Sequence, residues 1–90
     1  MQVRKMRLFR LKYQITRKEL GQACGLSPQR ISEIELDPAP MLNAETKEKL
    51  EKAFETVVER RRGEWTELYQ TFAYHRDTLT NAVEETAYEL

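Results

Sequence analysis

Residues 16–35 read TRKELGQACGLSPQRISEIE, two short helical patterns that pivot on a single glycine, Gly25. Thr16 stands at an N-cap position with Glu19 three residues on, the spacing of a capping box, and Ile15 is placed to staple it. Leu20, Ala23 and Cys24 give the first helix an inward face at helical spacing. Gly25 then permits the φ > 0 turn that a side chain resists. Leu26 fills the corner, Ser27 caps a second helix, Pro28 takes its first turn, and Ile31 and Ile34 face back toward the first.

Two helices crossing steeply around a turn of three to four residues form the helix-turn-helix supersecondary unit. Its second helix is of the kind that enters the major groove of DNA. Before this unit, Val3 to Tyr13 reads as a helix with Met6, Phe9 and Tyr13 on one side. Leu8 and Leu11 fall on a second side, which reads either as a docking face or as scattered surface leucines. Beyond Glu35, the two prolines of LDPAPML forbid a continuing helix. Asn43 caps the next pattern, which carries Leu50, Ala53, Phe54, Val57 and Val58 as its stripe and runs to Arg62. Gly63 is placed to stop it, and Arg60, Arg61 and Arg62 suit the negative end of its dipole.

From Glu64 to Leu90, Trp65, Leu68, Phe72, Leu79, Ala82 and Val83 recur at helical steps, with His75 interrupting the seam. A continuous helix here would run roughly 40 Å, though Asp77 could cap a separate final helix. Such a stripe reads as a dimerisation helix, a helix folded on its own domain, or a ligand box. Dimerisation is the favoured reading, because a two-fold protein matches a palindromic operator. The expected fold is therefore all-α: a compact helix-turn-helix bundle of four to five helices with an added long C-terminal helix. Residues 1–62 form the helix-turn-helix domain, and residues 63–90 a C-terminal extension for dimerisation or docking.

The 90 residues suit one compact domain with an appended element, without room for an extended active-site cavity. No apolar run approaches the roughly 18–20 residues needed to span a bilayer, so no membrane partner is expected. The basic amino terminus lacks the apolar core of a signal peptide, and a cytoplasmic protein is expected. One cysteine forms no intrachain disulfide, and no Cys/His cluster has zinc spacing, so neither a metal nor a cofactor is expected. His75 is a lone histidine, open to reading as a proton switch or as a satisfied side chain. No nucleophile, base and orienter come together, and an enzyme is not expected.

Net charge is zero, but its distribution is uneven. Residues 1–31 hold eight bases against one acid, whereas residues 32–59 hold three lysines against eight acids. Two readings are open: a polyanion-binding face, or helices of opposite charge that attract each other.

Thr16, Glu19, Leu20, Gly25, Leu26, Ser27, Ile31, Ser32 and Glu35 together resemble the phage-repressor-like helix-turn-helix family, the Cro/repressor or xenobiotic-response-element type. The likeness covers roughly residues 3–58, with Gly21 standing where alanine is usual. It implies that the helix opening near Ser27 enters the major groove of double-stranded DNA amino end first. The positions that would face bases are Pro28, Gln29, Ser32 and Glu33, while Arg17 would meet the edge of the site or a phosphate. Thr16, Ser27 and Arg30 complete the candidate contact set. Gln29 suits adenine, Arg17 or Arg30 suits guanine or phosphate, and Glu33 suits a cytosine amino group. The resemblance also implies a buried ion pair between Arg10 and Glu35.

The chain departs from that pattern at four places. Pro28 has no N–H, Glu33 repels phosphate, the loop from Leu36 to Pro40 holds no base, and Gln14 stands where glycine is common. The expected function is a homodimeric, sequence-specific DNA-binding regulator. Leu8, Leu11, Trp65, Leu68, Phe72, Leu79 and Val83 are the candidate dimer or docking residues. The alternative is a protein-interaction module that keeps the fold without specific DNA binding, with its protein partner held through the C-terminal helix.

Overall fold

Hydroxyl and amide side chains start three of the five helices seen among the described residues, 1–63 and 67–85, of the computed structural model. Thr16 accepts the Glu19 N–H at 3.0 Å and opens α2 (Arg17–Cys24). Ser27 accepts the Arg30 N–H at 3.1 Å and opens α3 (Pro28–Leu36), with Pro28 in the first turn. Asn43 accepts the Thr46 N–H at 2.7 Å and opens α4 (Ala44–Arg60). Each bond satisfies one of the amino-terminal donors that a helix leaves unpaired.

Gly25 ends α2 in the left-handed conformation, at φ 78° and ψ 14°, and returns its N–H to the Gly21 carbonyl. Gly21 has a separate role. A Cβ built there would lie 2.3 Å from the Leu26 carbonyl oxygen, so the turn closes onto α2 nearer than any side chain allows.

The first helix is shorter than the sequence suggests. α1 spans Lys5–Lys12 and has no side-chain cap. Its amino end is satisfied from the far end of the chain instead: Lys5 N–H donates to Asn81 O at 2.8 Å, and Met6 N–H donates to Leu79 O at 2.7 Å. The residues before it form strand β1 (Gln2–Arg4), paired antiparallel with β2 (Ala82–Glu84), so that Val3 faces Val83. This two-stranded sheet is an addition to the helical bundle that the sequence pattern implies.

The long C-terminal helix also needs correction. α5 covers Leu68–His75, a single 3-10 turn follows at Arg76–Thr78, and the chain then enters β2. Leu68, Phe72 and Leu79 are at most 2% exposed and belong to the same core as Met6, Phe9, Leu20, Ile31 and Phe54. Phe9 sits among three rings, with centroids 5.0 Å from Tyr13, 5.6 Å from Phe54 and 6.2 Å from Phe72. Of the three readings of the stripe, the packing is that of an element folded on its own domain. Leu68, Phe72 and Leu79 are thus consumed within the chain and are not available as a dimer surface. Val83 is half-buried in β2, and Trp65 lies outside the described residues.

At the other end of α4, the helix ends at Arg60, two residues before the expected Arg62. Gly63 is not left-handed, since Gly25 is the one glycine with positive φ among the described residues. The Arg61 side chain instead turns across to the α1–α2 corner, donating to Tyr13 O at 2.8 Å and Gln14 O at 3.2 Å and pairing with Glu19. That corner needs a firm hold, because Gln14 carries a positive φ of 56°. No helix among the described residues is long and apolar enough to cross a membrane.

Candidate nucleic-acid interface

Two opposite faces of α3 separate packing from presentation. Ile31 and Ile34 are buried in the core and Glu35 is buried beside them, which fixes the helix against α1 and α2. On the other side Ser27, Pro28, Gln29, Arg30 and Glu33 are exposed, and Ser32 is half-buried. This division follows from the sequence spacing, since residues three and four apart share a helix face.

Ser27 and Thr16 serve first as caps. Their oxygens accept backbone N–H groups, and each hydroxyl retains its own hydrogen for an outside acceptor. Arg30 and Glu33, one turn apart, approach to 3.6 Å, with side chains 51% and 57% exposed. An exposed pair of this kind contributes at most about 1 kcal/mol. It partly neutralises Glu33 yet lets Arg30 depart for a stronger acceptor. Gln29 carries the amide that can pair with an adenine edge.

Behind this face lies an ionic centre. Glu35, fully buried, accepts from Arg10 through both oxygens, at 2.7 Å from Nε and 3.1 Å from Nη2. The Nη1 of Arg10 also donates to the Ile15 carbonyl at 3.0 Å, so one guanidinium ties α1, the corner before α2, and the last turn of α3. Arg17 Nε lies 3.6 Å from Glu35, and Arg7 Nη1 lies 3.8 Å away. A bidentate buried pair of this kind fixes orientation more than it adds net stability, whereas removing one partner is costly.

Sequence reasoning missed a second anchor. Arg4, 4% exposed, donates from Nε to Ile34 O at 2.9 Å and from Nη1 to Thr80 O at 2.7 Å. Its Nη2 reaches the Asp37 and Pro40 carbonyls. The carboxyl end of α3, the proline loop and the C-terminal segment are therefore gathered on one side chain. Burial lowers the Arg4 pKa from its ordinary value, the neighbouring Asp37 opposes that shift, and Arg30 adds to it. Because the acceptors are backbone carbonyls, no residue pattern announces the clasp.

His75, whose role the sequence leaves open, is also buried. It is 7% exposed, with Lys5 Nζ 3.4 Å from its Nδ1, and Lys5 donates to Thr78 Oγ1 at 2.8 Å. Burial lowers the His75 pKa, and the charges of Lys5 and Lys12 lower it further, which favours the neutral ring. Leu8 is half-buried and Leu11 is 50% exposed, so that side of α1 is only partly covered.

A short helix pair with a left-handed glycine corner, anchored on its inner side and polar on its outer side, defines a helix-turn-helix domain. The helix-turn-helix family model matches residues 6–57, more than half of the chain. The chain belongs to this family, of the phage-repressor-like type, which is a family of DNA-binding regulators. No curated protein and no solved structure matches it.

Proposed function

We propose that the chain is a sequence-specific regulator that places residues 28–33 in the major groove of double-stranded DNA. The observation that carries this reading is the two-sided build of α3: Ile31, Ile34 and Glu35 are buried, while Pro28, Gln29, Arg30 and Glu33 face solvent. Anchoring of that kind supports a helix whose outer side chains are held at fixed positions for reading base edges. Gln29 reads adenine, Glu33 accepts from a cytosine amino group, and Arg30 exchanges its weak bond to Glu33 for guanine or phosphate. Thr16, Arg17 and Ser27 supply contacts at the edge of the site.

The regulator acts as a homodimer on a palindromic site. Because Leu68, Phe72 and Leu79 are buried in the core, the joining surface uses other residues, and the partly covered Leu8 and Leu11 side of α1 is a candidate among the described residues. Selection from random-sequence duplexes tests the reading. An enriched, two-fold site is expected, and Gln29→Ala should relax one base position by about 1–3 kcal/mol. Absence of enrichment even at low salt would reject it.

A second reading rests on the Arg30–Glu33 pair, Pro28 and the base-free Leu36–Pro40 loop, all at the presenting edge. These suit a protein-interaction module that has kept the fold. Retention of one stoichiometric protein partner, with no salt-sensitive retention of DNA, would select it.

A further inference from the structure

More positive charge surrounds Glu35 than one carboxylate neutralises. Arg10 takes both of its oxygens, at 2.7 and 3.1 Å. Arg7 has a second carboxylate to meet, Glu85 at 3.2 Å. Arg17 makes no other ion pair among the described residues: its Nε is buried, points to Glu35 at 3.6 Å, and has no hydrogen-bond partner. Yet the Arg17 side chain as a whole is 38% exposed, so its charge reaches the surface at the opening of α2.

A guanidinium is planar, with one N–H at Nε and four at its terminal nitrogens. Fixing the Nε edge against a buried carboxylate fixes the plane and leaves the terminal donors to another acceptor. The contact is too long to be a hydrogen bond, so an incoming anion has no strong bond to break. Resting on the DNA reading above, we propose that Glu35 is a positioning residue that holds Arg17, by its Nε edge, as a seat for a backbone phosphate of double-stranded DNA. Arg10 fixes the orientation of Glu35 through both of its oxygens, and Arg17 carries the unspent charge.

Fluorescence anisotropy with a labelled random-sequence duplex, over graded salt, tests this role. Arg17→Ala should weaken binding and make the salt slope shallower by about one unit. Arg17→Lys keeps the charge but has no Nε, and should stay within about twofold of Arg17→Ala. In a Glu35→Gln background, Arg17→Ala should change affinity by less than about twofold, because the seat is already lost. Full recovery by Arg17→Lys, or an undiminished Arg17→Ala effect in the Glu35→Gln background, overturns the proposal. If Glu35→Gln fails to fold by circular dichroism, the lysine comparison decides alone. Failure of the unmodified chain to retain the duplex at low salt rejects the DNA reading itself, and the positioning role with it. Retention that Arg17→Ala leaves unchanged rejects the positioning role only.

Discussion

Gly21→Ala should destabilise this domain, although alanine is usual at that position in the family and although alanine favours helix. The substitution gains about 1 kcal/mol of helix propensity within α2. Against that, the new Cβ would sit 2.3 Å from the Leu26 carbonyl oxygen. The obstacle is backbone and cannot rotate aside. Leu26 lies between the left-handed Gly25 and the Ser27 cap, so moving it disturbs both. Overpacking of a tight contact costs about 1–3 kcal/mol, and a rigid neighbour places this case toward the upper end. The net expectation is a loss of about 1–2 kcal/mol. For a domain of this size that lowers the melting temperature by roughly 5–15 °C. Circular dichroism during thermal and urea unfolding measures it, with an unchanged urea slope showing that stability and not compactness has moved. A Gly21→Ala variant as stable as the original would refute the close approach of the turn to α2.

Three more substitutions probe contacts elsewhere in the fold. Arg4→Met should cost about 2–4 kcal/mol in urea unfolding, because the Ile34 and Thr80 carbonyls lose a charged donor. Gln14→Gly should stabilise by about 0.5 kcal/mol, since relief of the left-handed strain at φ 56° slightly exceeds the added entropy of the unfolded chain. For His75 the folded pKa lies below the ordinary value of 6.5, so the unfolded chain takes up the proton first. Its contribution is complete above that value and is lost as pH falls through 6.5 toward the folded pKa. Urea midpoints measured downward from about pH 7.5 should show this decline, and His75→Gln should flatten it.

Local signals make the middle of the chain legible. Thr16, Ser27 and Asn43 cap helices through bonds only three residues long, and Gly25 marks its own turn, so each can be read without knowing the fold. The inward stripes of α3 and α4 follow from spacing for the same reason. The ends of the chain are not legible, because their structure is made by pairing across its whole length. Gln2–Arg4 and Ala82–Glu84 are three residues each, too short to show alternation, and neither forms a strand without the other.

Leu68, Phe72 and Leu79 keep helical spacing across a helix end, since a 3-10 turn carries the chain from His75 to Leu79 without losing the inward direction. Periodicity alone therefore extends a helix through a bend. α1 lacks a capping residue in the sequence, and its donors are met by the Leu79 and Asn81 carbonyls. At the presenting face, the exposure of Pro28, Gln29 and Glu33 follows from the burial of Ile31 and Ile34. The Arg4 clasp and the approach of Arg17 to Glu35 depend on tertiary distances that no spacing encodes.

Contact between the outer face of α3 and DNA can be observed residue by residue. Titrating isotopically labelled protein with a selected duplex, and following backbone amide shifts, tests it directly. The largest shifts are expected at residues 27–33 and at Thr16 to Lys18, fading as salt is raised. Shifts concentrated in α5 and β2, or no shifts at low salt, would contradict it.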